Sequence, residues 1–258
     1  MITFISYAAL AVFLYMSILF VIALFKRDNS IADIGWGLGF VIVALLTFFL
    51  EWGFSARHIL VTALVVVWGV RLSTHIYLRN RGKGEDPRYA AWRKKWGKWF
   101  VVRSFFQVFM LQGLLLLFIS YVIIRVNSSS EGGLSVLDIC GLAVWIIGFL
   151  FESLGDLQLK RFIADERNRG RILTTGLWRY TRHPNYFGEA TMWWGIFLIA
   201  LSVPYGWTAI ISPAVITFLL LRVSGVILLE KEFTDNEEFE EYKRRTSAFI
   251  PWFPKPSR

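Results

Sequence analysis

Three trios of polar side chains recur at a four-residue step inside apolar runs: Arg71, His75 and Arg79; Glu152, Asp156 and Lys160; Asn185, Glu189 and Trp193. On a helix that step puts each trio on one stripe. Arg222, with Glu230 two turns later, makes a fourth, and Asp33 opens another run. Ionisable groups inside a membrane are costly and face a cavity or a partner, so these stripes are the candidate site. All lie toward one end of their runs, with Arg71 and Arg222 roughly 10–12 Å from that end at about 1.5 Å per residue. Such an arrangement builds a polar cavity open on one side and closed by Trp, Phe, Leu and Ile toward the other. Helix-to-helix pairing of the same charges is the competing reading. The densest polar stretch, Thr175 to Glu189, enters one of these runs. Pro184 suits a first helical turn, which places Asn185 and Tyr186 beside free backbone N–H groups that favour an anion such as a phosphate. No metal site is expected, because the one cysteine, Cys140, lies in an apolar run without a partner.

The elements that must position these groups follow from composition. A chain of 258 residues with 55% hydrophobic, 17% aromatic and 18% charged residues and a mean hydropathy of +0.51 is too apolar for a soluble domain. Roughly 20 apolar residues span a bilayer. The runs predict an all-α polytopic membrane protein with seven helices, at about 3–25, 33–50, 57–79, 101–125, 136–159, 186–203 and 207–229. A Rossmann or TIM domain does not fit in what remains. Of the 28 Lys and Arg, 24 fall in segments 26–32, 79–103, 160–185 and 230–258. The positive-inside rule then puts the N-terminus outside, the C-terminus in the cytosol and the polar stripes on the cytosolic side. The first run reads as a span rather than a signal peptide, since Lys26-Arg27 stands where cleavage would need small residues. The chain is expected to be one integral-membrane domain, 1–258, in a bacterial inner membrane.

The net charge of +9 is assigned to this topology and not to nucleic acid. Trp92, Trp96 and Trp99, interleaved with cations, read as an interfacial helix on an anionic leaflet, with membrane lipids as partners. Ser30 with Asp33 also fits a capping box, so Asp33 carries both a structural and a functional reading. Gly35 and Gly39 read as a small-residue packing face and not a nucleotide loop, because no strand precedes them.

Several motifs together resemble a known family. They are Gly176-Leu-Trp178, Asn185-Tyr-Phe-Gly-Glu189 with Trp193, Asn80-Arg-Gly82 running into Tyr89, Gly155-Asp156, and Phe239-Glu-Glu-Tyr242 leading to Ile250-Pro251. The family is the steroid 5-alpha-reductase-like membrane reductases, in particular a bacterial branch catalogued as a domain of unknown function, and the resemblance covers most of the chain from about residue 70. It implies an enzyme that uses NADPH, bound from the cytosolic side, to reduce a carbon–carbon double bond conjugated to a ketone, as in a 3-oxo-4-ene steroid. It implies cofactor-binding positions at Arg71, Arg79, Asn80, Asp156, Lys160, Arg161, Tyr180, Arg182, His183, Asn185, Tyr186, Glu189, Arg222, Glu230 and Tyr242. The cations among them suit a pyrophosphate and a 2′-phosphate, and the hydride comes from the nicotinamide. Two departures stand out. The family's carbonyl-activating Gln-Glu pair on helix 2 and Tyr on helix 3 have no clear equivalents, since Leu50-Glu51 is at the wrong end and the helix 3 region reads Val67-Trp-Gly-Val-Arg71. The substitutes are Asp33, if burial protonates it, His75 and Tyr89.

Two other functions compete. Arg182-His-Pro-Asn-Tyr186 and the Glu-rich C-terminal helix also resemble membrane methyltransferases of the isoprenylcysteine carboxyl type, which use S-adenosylmethionine. A non-catalytic lipid-binding scaffold would bind no nucleotide. The number of cations beside the stripes favours the reductase, and the absence of inverted repeats argues against transport. The substrate is expected to be an apolar small molecule entering from the bilayer.

Overall fold

A computed structural model describes residues 1–51, 54–130, 133–223, 225–233 and 236–256. The described residues form helices and no strand. We number the main helices α1 (Ile2–Lys26), α2 (Ile31–Leu50), α3 (Ala56–Asn80), α4 (Pro87–Trp96), α5 (100–127), α6 (Val136–Ala164), α7 (Pro184–Ala200), α8 (Gly206–Glu230) and α9 (Glu237–Arg245). Each of the seven expected spans coincides with one of them. Six runs, Ile2–Lys26, Ile31–Leu50, Ala56–Asn80, Pro87–Asn127, Val136–Ala164 and Gly206–Glu230, are long and apolar enough to cross a membrane. α7 has 17 residues, about 25 Å, shorter than a hydrocarbon core of about 30 Å. The chain is an all-α polytopic membrane protein. Its outer faces are apolar, as on α1, where Leu10, Phe13, Leu14, Ile18 and Phe25 are exposed.

The chain divides into two compact units, 1–136 with 199–212, and 137–198 with 213–258. In the first unit α2 packs closely on α3. A Cβ on Gly37 would meet the Gly69 carbonyl oxygen at 2.4 Å, and one on Gly69 would meet that of Gly37 at 2.6 Å. Only two glycines allow backbones this near. Gly35 and Gly39 pack as expected, against Leu19 of α1 and Leu116 of α5, but the closest backbone approach is at Gly37 between them. Asp86 caps α4 by accepting from the Arg88 N–H at 2.9 Å, with Pro87 in the first turn, and Gly97 at φ +49° ends it. α5 widens into a π turn at Phe105–Met110 before continuing as Leu111–Asn127. The 199–212 segment is tied to α5, where the Ser212 hydroxyl accepts from the Val122 N–H at 3.0 Å and donates to the Phe118 carbonyl at 3.2 Å.

In the second unit α6 and α7 meet through glycines seven residues apart on both helices: Gly141 faces Gly195 and Gly148 faces Gly188, while Gly155 faces Pro184 and Asn185. A Cβ on Gly188 would lie 2.4 Å from the Glu152 nitrogen, and one on Gly195 2.7 Å from the Gly141 carbonyl oxygen. A seven-residue repeat keeps one seam facing its partner along the helix. That seam buries the α6 and α7 stripe residues Glu152, Asp156 and Glu189, at 2%, 9% and 8% exposure.

Two expectations change. Trp96 is buried and stacked on Trp92 at 5.3 Å, so only Trp92 and Trp99 are exposed in the aromatic segment. The far end of the first unit also holds buried polar groups where the sequence pattern predicts almost none. Arg57 and His58 of α3 reach the carbonyls of Gly133 and Ser129, and Asn127 lies among Thr47, Thr62 and the Ala44 carbonyl.

Candidate functional site

The first unit brings Asp33 and Tyr89 together. Asp33 stands in the first turn of α2, and the phenol of Tyr89, on α4, donates to its Oδ1 at 2.7 Å. Arg88, the preceding residue, donates to Oδ2 at 2.9 Å. The Gln112 amide, on α5, donates to Oδ1 at 3.2 Å and to the Tyr89 oxygen at 3.3 Å. Three donors thus converge on one carboxylate. The capping-box reading of Ser30 and Asp33 does not hold: the Ser30 side chain caps nothing in α2, and its hydroxyl accepts from the Asp86 N–H at 2.9 Å. In this geometry the Tyr89 hydroxyl is the donor and Asp33 Oδ1 the acceptor. Tyr89 is 4% exposed, and its ring meets Trp92 edge-on at 5.5 Å.

A second polar layer holds α4 in place. Arg93 makes a two-pronged pair with Glu85, at 2.8 and 2.7 Å, and Glu85 also accepts from the Asn29 N–H at 2.9 Å. Burial raises the Glu85 carboxyl, but these bonds and the Arg93 charge outweigh it and hold the group below its usual range. Asp86 is likewise raised by burial and brought below its usual range by hydrogen bonds from the Arg88 side chain and N–H. Gln112 and Arg88 were not singled out as site residues from the sequence. Gln112 is a lone neutral amide in an apolar run, whereas the Glu85–Arg93 spacing was visible.

The remaining first-unit candidates lie on α3. Arg71 and His75 are half-buried, Arg79 is exposed, and Asn80 ends the helix half-buried.

In the second unit the 178–183 loop, α8, α9 and the C-terminal tail form a clasp. The buried Arg182 guanidinium donates to Glu230 at 2.9 Å through Nε and pairs with it through Nη2, while Nη1 donates to the carbonyls of Lys243 and Thr246. His183 lies 3.1 Å from the same Glu230 oxygen, and its ring stacks on Tyr186 at 5.6 Å. The Tyr242 hydroxyl donates to the Trp178 carbonyl, and burial raises its phenol. Trp178 in turn donates to the Gly155 carbonyl at 3.2 Å. The tail pairs with the loop, the Arg182 N–H donating to Ser247 O and the Trp252 N–H to Tyr180 O, both at 2.9 Å. Arg182 therefore spends four of its five N–H donors inside the protein. At the start of α7, Asn185 donates to Asp156 at 3.2 Å while its carbonyl takes the Tyr186 N–H at 3.0 Å, so that helix-terminal N–H is already engaged. Tyr180, Lys160, Arg161 and Arg222 are exposed.

The chain is 26% identical over 259 residues to an uncharacterized protein of Schizosaccharomyces pombe, covering 89% of this chain and 73% of the relative. It is 30% identical over 112 residues to 3-oxo-5-alpha-steroid 4-dehydrogenase 1 of Bos taurus, covering 43% of this chain and 40% of the relative. A similar stretch of 120 residues is 28% identical to methanethiol S-methyltransferase 1 of Bradyrhizobium diazoefficiens, covering 43% and 39%. The chain thus spans about two fifths of the length of these two enzymes. No solved structure matches it. Residues 19–246 match the family described as a protein of unknown function, DUF1295; the chain belongs to that family and is itself similar to steroid 5-alpha-reductases over 43% of its length.

Proposed function

We propose that the protein is a seven-span membrane reductase that uses NADPH to reduce a carbon–carbon double bond conjugated to a ketone in an apolar substrate drawn from the bilayer. On this reading the N-terminus is outside, the C-terminus and the cofactor-binding residues face the cytosol, and the membrane is a bacterial inner membrane. The observation that carries it is the Tyr89 hydroxyl held on Asp33 between Arg88 and Gln112.

Enone reduction needs a hydride at the β-carbon, an acid at the carbonyl oxygen and a proton at the α-carbon. When bound, NADPH supplies the hydride. Tyr89 has one hydroxyl proton, and turning it from Asp33 Oδ1 to the substrate carbonyl stabilises the developing enolate. Arg88 and Gln112 keep the carboxylate satisfied while the phenol is away. Methyl transfer needs no such donor at a carbonyl. In the second unit Lys160, Arg161 and Arg222 are exposed cations suited to phosphates, whereas Arg182, His183 and Tyr242 shape the clasp; on α3 of the first unit Arg79 is also exposed. A polyanionic dinucleotide fits this set better than S-adenosylmethionine, which carries no phosphate. The methyltransferase reading is kept because the likeness to methanethiol S-methyltransferase 1 is of comparable length.

The test is thermal stabilisation of the purified full chain by NADPH, NADH and S-adenosylmethionine, with Arg222→Ala alongside. Stabilisation by NADPH that is lost in Arg222→Ala supports the reductase. Stabilisation by S-adenosylmethionine alone would replace it with the methyltransferase, and no response to any ligand from folded protein would replace it with a lipid-binding scaffold.

A further inference from the structure

Gln112 does more than the proposed reaction asks of it. Opposite a carboxylate only the NH2 end of an amide is stable, so the contacts at 3.2 Å to Asp33 and 3.3 Å to Tyr89 fix which end is Nε2. Oε1 then points away from Asp33, where it is buried and accepts no hydrogen bond among the described residues. A buried carbonyl oxygen left without a donor is destabilising. The helix nevertheless presents it there, directly after the π turn Phe105–Met110, a deviation that recurs at functional sites. The neighbouring phenol spends its proton on Asp33 and one lone pair on the Gln112 amide. The polar atom of the pair that remains without a partner is therefore Gln112 Oε1. Since Oε1 and Nε2 share one carbon and lie about 2.2 Å apart, Oε1 is within about 5.5 Å of the Tyr89 oxygen, given the 3.3 Å contact.

We infer that Gln112 Oε1 is a specificity contact that accepts a hydroxyl or N–H carried by the substrate one or two bonds from the carbonyl that Tyr89 engages. The inference rests on the reductase reading and narrows it: the substrate is an apolar enone with a hydrogen-bond donor beside its carbonyl, an α′-hydroxy or α′-amino enone, and not a bare enone. A site built to bond a hydroxyl discriminates strongly against the analogue lacking it, because the buried acceptor is then left unpaired.

The experiment uses a matched pair of apolar cyclic enones, with and without the α′-hydroxyl, on the full-length protein in detergent. kcat/KM with NADPH and thermal stabilisation by each compound alone are read for the wild type and for Gln112→Met, which is apolar and of similar volume. The expected result is a preference for the hydroxy compound of about 100-fold or more, with stronger stabilisation, falling to under about threefold in the variant. Equal turnover and equal stabilisation by the two compounds in the wild type overturn the contact and leave the reductase standing, with a buried water on Oε1. If neither compound is reduced but the hydroxy compound still stabilises the wild type and not the variant, the contact stands and the reductase falls. Neither binding nor turnover overturns both.

Discussion

The polar cluster of the first unit and that of the second are built to opposite ends. Asp33, Arg88, Tyr89 and Gln112 come from three helices, hold one another by single hydrogen bonds, and leave one buried acceptor open. Arg182, Glu230, His183 and Tyr242 cross-link a loop, two helices and the tail, and the arginine is nearly saturated. The difference teaches that polar density along a sequence marks where a chain must be tied down as readily as where it reacts. The richest motif, 175–189, supplies the clasp. The proton donor comes from a sparse pair 56 residues apart.

The contrast breaks most sharply at Tyr89. Tyr89→Phe removes the one proton the cluster can give, and the expected loss is on the order of 10²–10⁴ in kcat, with cofactor stabilisation of the folded protein unchanged. Loss of fold in this variant would make the first cluster structural too. Arg182→Met should act the other way, costing about 1–3 kcal/mol by leaving half-buried Glu230 with His183 alone and the buried Thr246 carbonyl without its donor. The check is thermal unfolding and proteolysis of the tail, and a variant of native stability with altered turnover would erase the contrast. A comparable effect is expected at the α6–α7 seam. Gly188→Ala presses a methyl on the Glu152 backbone and should destabilise by about 1–3 kcal/mol, whereas an alanine at exposed Gly84, which meets nothing, should leave the melting temperature within error.

The smallest effect is one of pH. Glu85 and Asp86 titrate below their unfolded values, so their contribution is complete above the ordinary carboxylate range, near pH 4–5, and fades as the pH falls below it. The emission of Trp92, Trp96 and Trp99 should shift on acidification, and Glu85→Gln should flatten that shift. An unchanged titration would show that the Arg93 pair does not hold α4.

The helices were legible, six of them long and apolar enough to cross a membrane, because a bilayer demands about 20 apolar residues and the sequence has little else. Asp33 and Tyr89 were legible singly as polar residues in costly places, but not as a pair, because the contact depends on how α4 folds back on α2. Gln112 was invisible, since a neutral amide between Leu111 and Gly113 gives no periodic signal. Arg182 was visible and its surroundings were not: its acceptors are backbone carbonyls of Lys243 and Thr246, about which side-chain patterns say nothing. The glycines at 141, 148, 155, 188 and 195 were there to be read as a heptad.

That heptad has a mechanical consequence. Where two backbones touch through glycines, sliding one helix along the other by a single residue brings a side chain onto a carbonyl. The next sterically allowed register is a full seven residues away, about 10.5 Å. α6 and α7 are thus toothed like a rack and its pinion, and any motion of one must carry the other with it, together with the Asp156–Asn185 bond between them.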